Sequence, residues 1–237
     1  MSDLTQQFQN ARSDESLVLL EGFHAIKHAL RFGAKFLQCA AREGSEFAAL
    51  AEQLAPDIKE KLTGQTYIVS ETEFIQLSAH PPETGIIAIA RKPEYSFASM
   101  RGARPIILLD DPSHPGNIGA VIRVCAAADC AGVVVLGELD PWSPAVVRGA
   151  AGLQFALPVV RLSGFPETDR SVIAFDERGD ELDESFDSSN TLLVFGSERR
   201  GISDTIKKRA DRIVRIPMKE GVSSLNLATS VAVGVYR

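Results

Sequence analysis

The 237-residue sequence is short of several things that usually announce a function. It holds three cysteines, Cys39, Cys125 and Cys130, an odd number with no Cys-x-x-Cys spacing. That excludes a disulfide framework, offers zinc no ligand set, and points to reduced, buried thiols and no metal site. No apolar run approaches the ~20 residues that a membrane helix needs, so no membrane partner is expected. Neither Gly-x-Gly-x-x-Gly nor Gly-x-x-x-x-Gly-Lys occurs, which removes the two commonest phosphate-cradling loops. The first fifteen residues lack both the basic head and the apolar core of a signal peptide; they read as a frayed start, and the cytoplasm is the expected location.

What is present is ordinary in bulk and uneven in detail. A composition of 45% hydrophobic and 24% charged residues is that of a globular protein long enough for two modest domains. The net charge of -6 argues against nucleic acid when taken alone. Between Asp176 and Asp187, however, seven acidic residues face only Arg178, whereas between Arg199 and Lys219 eight basic residues face only Asp204 and Asp211. The second segment can hold phosphate, or it can be a solvated face.

Hydrophobic periodicity divides the chain into alternating strands and helices. Leu17 to Leu20 reads as a strand, and Phe23, Ile26 and Leu30 recur at helical spacing up to Gly33. Phe36 to Ala40 and Tyr67 to Val69 are further strands, Ser45 to Leu54 a helix, and Ser70-Glu71-Thr72-Glu73 has the form of a capping box. Ile86 to Ala90 completes a small α/β unit. Arg91 to Pro105, with little periodicity, is the linker region, so the expected domains are 1–95, a linker over 96–104, and 105–237. In the second half Ile106 to Leu109, Val133 to Leu136, Val172 to Phe175, Leu192 to Phe195 and Ile213 to Ile216 read as strands. Asn117 to Asp129, Ser143 to Ala151 and Ser203 to Arg209 read as helices, spelling a mainly parallel sheet with helices on both faces.

Three stretches gather residues with chemistry. The first runs from Asp110 to Arg123 off a strand, through a loop and into a helix. Ile118, Val121, Ile122 and Cys125 are spaced to face the core, and Arg123 projects from a small-residue face. Asn117 reads equally as a helix N-cap, Arg123 as a partner in a salt bridge, and His114 as a loop histidine. The second is Phe195-Gly196-Ser197-Glu198-Arg199-Arg200-Gly201, a strand ending in a glycine-bounded loop with a carboxylate at its tip. In the third, a strand is stopped by Pro217, loosened at Gly221, and followed by Ser223, Ser224 and Asn226 where a helix begins. Capping explains those polar residues, but an irregular loop after a buried strand is also where open α/β sheets bind ligands.

Taken in order, these stretches resemble all three signature motifs of the SpoU-type (TrmH-like) RNA ribose methyltransferases of the SPOUT superfamily. Arg148-Gly149-Ala150-Ala151-Gly152 is similar to that family's intermediate helix and turn. Leu20-Glu21-Gly22 and Thr84-Gly85-Ile86-Ile87-Ala88 are like its ribosomal-protein-like accessory RNA-binding domain. One departure is Gly221, three residues after Met218; the distance from Met218 to Ser224 is intact.

The resemblance implies an α/β fold with a deep trefoil knot in the C-terminal domain, S-adenosylmethionine as cofactor, a homodimer, and transfer of a methyl group to a ribose 2'-hydroxyl of RNA, with rRNA favoured over tRNA. Phe195, Gly196, Ile216, Met218, Ser224 and Leu225 would bind the cofactor, and Asn117, Arg123, Glu198, Ser224 and Asn226 would form the reactive side. Because a guanidinium does not give up its proton in a protein, Arg123 is expected to clamp an RNA phosphate rather than act as a base. Ser224-Leu225-Asn226 with Arg123 favours ribose over base as the methyl acceptor. The competing readings are a catalytically inactive RNA-binding protein of the same fold, and a dinucleotide-dependent oxidoreductase, which lacks its glycine fingerprint.

Overall fold

In a computed structural model, which describes residues 3–183 and 185–237, the strands fall into a four-stranded and a six-stranded sheet. Each belongs to its own compact unit: residues up to Glu94 together with Trp142–Ala156, and Tyr95–Pro141 together with Leu157–Arg237.

In the first unit β1 (Leu17–Glu21), β2 (Phe36–Arg42), β3 (Tyr67–Val69) and β4 (Ile86–Arg91) lie in the order β1-β4-β2-β3. Strand β4 is antiparallel to both β1 and β2, and β3 is parallel to β2. Alternation along β1 splits the core: Val18 and Leu20 join one cluster with Phe23, Ile26 and Leu30 of α2 (Phe23–Arg31), while Leu19 joins the other with Phe74 and Leu77 of α5 (Glu71–Leu77). The expected capping box opens α5, where Ser70 accepts a hydrogen bond from the Glu73 N–H.

Two expectations are corrected in this unit. The first residues are not a frayed start: α1 (Asp3–Ala11) buries Thr5, Phe8 and Ala11, three apart on one face, and Phe8 is fully enclosed. Burial of that ring is worth about 1.5–3 kcal/mol, and the polar remainder of the helix hid it from a composition argument. The segment Trp142–Ala156, read from the sequence as part of the second domain, clusters with the first. Its helix α7 (Pro144–Ala150) and the turn after it bury Val147 and Phe155 among the side chains of α2, α3 (Phe47–Leu54) and α4 (Lys59–Gly64), the last a helix without a sequence signal. Gly152, at φ +74°, lets the turn approach the Ala25 backbone so closely that a Cβ there would lie 2.3 Å from the carbonyl oxygen.

The second unit is built on β5 (Ile106–Asp110), β6 (Gly132–Leu136), β7 (Val159–Leu162), β8 (Ser171–Glu181), β9 (Thr191–Gly196) and β10 (Arg212–Arg215), ordered β10-β8-β9-β5-β6-β7 with every pairing parallel. Burial on both faces explains why β5, β6 and β9 are unbroken apolar runs. Strand β7 escaped the sequence reading because only Val159 and Val160 of its four residues are buried.

The strand order reverses direction between β5 and β9, whose last residues, Asp110 and Gly196, are in register. Loops leaving a parallel sheet at such a switch point diverge and open a crevice. The short helix α8 (Asp204–Lys207) precedes edge strand β10, after which the chain doubles back and forms α9 (Leu227–Val235), which packs on α6 (Pro115–Ala127) and β9. Gly234 makes that return possible: a Cβ there would lie 3.0 Å from Phe175 and 3.2 Å from Phe195, whose rings stack at 4.4 Å.

Candidate active site

The crevice is shaped first by glycine. A Cβ on Gly196 would sit 2.1 Å from the Gly201 carbonyl carbon, so only glycine lets β9 turn there. Ser197 and Gly201 then exchange backbone hydrogen bonds of 3.1 and 2.9 Å, with Gly201 at φ +66°. The result is a closed tip of three residues, Glu198, Arg199 and Arg200. Asp110, at the end of β5 and buried, accepts the Ser203 N–H at 2.7 Å and ties the far side of the loop to the sheet.

From that tip Glu198 reaches to the start of α6. Its Oε2 accepts the Ser113 N–H at 3.1 Å and the Ser113 hydroxyl at 2.7 Å, and its Oε1 accepts Asn117 Nδ2. Burial pushes the carboxyl upward, but the hydrogen bonds from Asn117, the Glu198 backbone and Ser113 outweigh it and hold the pKa down at about 2. A carboxylate that is ionised at neutral pH therefore fixes the Asn117 amide. Asn117 Oδ1 in turn accepts Asn226 Nδ2 at 3.2 Å, and Asn226 Oδ1 caps α9 by accepting the Ala228 N–H at 2.9 Å. The three sequence motifs meet in one hydrogen-bonded chain.

This chain borders a cleft of about 1210 Å³ at the C-terminal ends of the strands. Asn117, Glu198, Ser224 and Asn226 line it, and His114 joins them. Phe195, Gly196, Ile216, Met218 and Leu225 line it too, supplying an apolar wall. Within residues 217–225 the only backbone–backbone hydrogen bond among the described residues is Val222 N–H to Lys219 C=O. Backbone donors and acceptors beside an apolar wall thus remain available, a combination that fits an adenosyl group and its amino-acid tail.

Asn226 is a helix cap, as its position suggests, and it is at the same time bonded to Asn117. Asn117 is not a cap; it lies inside the first turn of α6, whose N-cap is His114. Arg123 is not brought to the cleft: it is exposed on α6 and makes no ion pair among the described residues. Six residues of helix carry it about 9 Å further along the axis and about 240° around it from Asn117. Sequence reasoning assigned no role to Ser113, to Asp110, or to the Asp176–Lys207 pair, which meets at 2.8 Å in the cleft wall. The signal for the first two was their place at the end of β5 and in the loop that follows it.

Comparison with known proteins places the chain in a family. Residues 104–236 match the SpoU rRNA Methylase family, and residues 19–96 match the family described as RNA 2'-O ribose methyltransferase substrate binding. The chain is 27% identical over 237 residues to a 23S rRNA (guanosine(2553)-2'-O)-methyltransferase of Bacillus subtilis, covering 95% of this chain and 89% of that one. It is 31% identical over 214 residues to an uncharacterized tRNA/rRNA methyltransferase of Mycolicibacterium smegmatis, covering 79% of this chain and 68% of the other. Among solved structures, the SpoU methyltransferase AviRb from Streptomyces viridochromogenes in complex with AdoMet superposes with a TM-score of 0.78 at 25% identity, over 99% of this chain and 96% of that one. With more than half of its length matched, the chain belongs to the SpoU rRNA methylase family.

Proposed function

We propose that the protein transfers a methyl group from S-adenosylmethionine to a ribose 2'-hydroxyl of a structured RNA, with rRNA favoured over tRNA. The observation that carries this is the Glu198–Asn117–Asn226 chain at the edge of a cleft whose other wall is apolar. Named relatives that act on 23S rRNA, and a structural neighbour solved with AdoMet, support it.

When bound, S-adenosylmethionine supplies an electrophilic methyl group on a sulfonium. In this reading Phe195, Gly196, Ile216, Met218, Ser224 and Leu225 hold it, through apolar contact and the free backbone groups of 217–225. Glu198 stays ionised and serves as an anchor rather than as a proton donor. It holds Asn117, and through it Asn226, so that these amides and the Ser224 hydroxyl orient the incoming ribose. Arg123, outside the cleft of its own chain, clamps a phosphate beyond the cleft wall. The first unit, 1–95 in the sequence reading, binds the RNA substrate, in line with the substrate-binding family matched by 19–96. The reading includes a knotted C-terminal segment, a homodimer and a cytoplasmic location.

The test is to incubate the purified protein with S-adenosylmethionine and with rRNA or tRNA from cells lacking the gene, digest the RNA, and analyse nucleosides by mass spectrometry. A new 2'-O-methylnucleoside from rRNA is expected. Methylation confined to a base, or none on either RNA, would overturn the reading.

A further inference from the structure

We infer that Arg199 and Arg200, at the tip of the loop after β9, grip the RNA phosphates flanking the ribose that enters the cleft. This rests on the ribose-methyltransferase reading and adds to it the side chains that hold the strand at the cleft mouth.

The cations that line the cleft divide into two kinds. Lys207 and Arg215 are spent: Lys207 Nζ lies 2.8 Å from Asp176, whose side chain is 10% exposed, and Arg215 lies 2.8 Å from Glu181. Arg199 and Arg200 at the tip are not, and neither are exposed Lys219 and Arg178, the latter 3.9 Å from Glu177, but only the tip pair stands on the closed loop beside Glu198. Arg199 is exposed and makes no ion pair among the described residues. The Arg200 side chain is 84% exposed, and its nearest carboxylate, that of Asp111, stands 3.8 Å away, beyond hydrogen-bond range.

The base beneath them is fixed, which separates them from an ordinary solvated pair. The Ser197–Gly201 bonds close the tip, the Arg200 N–H donates to Ser197 Oγ at 3.3 Å, and Gly196 packs the loop flush against its own return. Glu198, next in sequence, is bound inward to Ser113 and Asn117. One three-residue tip therefore orients an amide of the cleft on one side and presents two guanidinium forks to solvent on the other. A fork on a rigid base loses less freedom on binding, and its donors match phosphate oxygens two at a time. In a chain of net charge -6, these forks make the cleft mouth a local attractor for a polyanion.

The experiment titrates a fluorescein-labelled oligouridylate with the full chain at rising KCl, for the wild type, R199A/R200A and R199K/R200K, with S-adenosylmethionine titrated in parallel. The alanine pair is expected to weaken oligouridylate binding about tenfold at low salt. It should also flatten the slope of log K against log salt by about 1.4, since each single-strand phosphate left without its arginine takes ~0.7 from the slope. The lysine pair should keep the slope and recover only part of the affinity, because the charge remains without the fork. S-adenosylmethionine affinity should be the same in all three. Equal oligouridylate affinity and slope in the wild type and R199A/R200A overturns the inference, and so does a wild-type protein that does not bind oligouridylate. A wild type that binds oligouridylate as expected but not S-adenosylmethionine strikes the methyltransferase reading instead and leaves the grip standing.

Discussion

Glu21 in the first unit and Glu198 in the second begin from the same chemistry and end in different roles. Glu21 is the last residue of β1 and Glu198 lies in the loop that follows β9, and each accepts a serine hydroxyl, Ser78 at 2.5 Å for Glu21 and Ser113 at 2.7 Å for Glu198. Glu21 spends its second oxygen on Arg148, 3.1 Å away, and its side chain is 9% exposed. Glu198 has no cationic partner among the described residues; its second oxygen holds an asparagine amide that faces the cleft. A carboxylate neutralised by arginine locks a fold. One satisfied only by neutral donors keeps its charge and lends it to orientation. The loops around them differ in the same sense. Near Glu21 the turns are tied down by side chains: Thr84 Oγ1 accepts the Phe23 N–H and His28 Nδ1 pairs with the Ala151 carbonyl. In 217–225 the backbone is left largely unspent.

The largest effect that could break this contrast is on rate. Glu198→Ala frees the Asn117 amide, and methyl transfer is expected to fall by roughly a hundredfold to a thousandfold, as when a positioned donor is lost at a reacting centre. A single-turnover assay with saturating S-adenosylmethionine reads it, and an unchanged rate refutes the orienting role. Glu21→Ala acts on stability instead. It leaves the buried Ser78 hydroxyl without its acceptor, a cost of about 1–3 kcal/mol that should lower the melting temperature by several degrees. The rate of methyl transfer below the melting transition should stay within about twofold, well under one factor of ten in free-energy terms.

A smaller effect sharpens the comparison through pH. The pKa of Glu198 is depressed in the folded protein, to about 2 from an ordinary 4.5, so its contribution to stability is complete above 4.5 and is lost as pH falls toward 2. Thermal melts between pH 6 and pH 3 should therefore fall less steeply for Glu198→Gln than for the wild type. Parallel melting curves would show that the carboxylate is not held ionised by its neighbours. His28 shifts downward, chiefly because burial disfavours its charged form, though the Ala151 carbonyl favours it; stability of the first unit should decline as pH drops below 6.5. His28→Gln should flatten that decline.

Much of this was legible in the sequence, and the misses share a cause. Strands buried on both faces announce themselves as apolar runs, which is why β5, β6 and β9 fell where expected. The two glycines bounding the second motif were legible as a tight loop, and the structure gives each its own reason: a Cβ on Gly196 would lie 2.1 Å from the Gly201 backbone, and Gly201 sits at φ +66°. Amphipathic α1 and half-exposed β7 carried too little apolar signal, and nothing local shows that Trp142–Ala156 packs into the first unit. Asn117 was legible as important and illegible as a partner of Asn226, because such a pairing is set by how the chain returns after β10. Arg123 was read from its motif as a phosphate clamp on the reactive side; it stands exposed on α6, outside the cleft lining of its own chain.

Everything proposed for the second unit depends on the cleft beside Gly196, and calorimetric titration with S-adenosylmethionine tests it most directly. A Cβ at Gly196 forces the loop apart at a cost of about 1–3 kcal/mol, so Gly196→Ala should weaken binding by roughly tenfold to a hundredfold while Glu21→Ala binds like the wild type. A wild-type protein that takes up no S-adenosylmethionine, or a Gly196→Ala protein whose binding curve overlays the wild type, would contradict it.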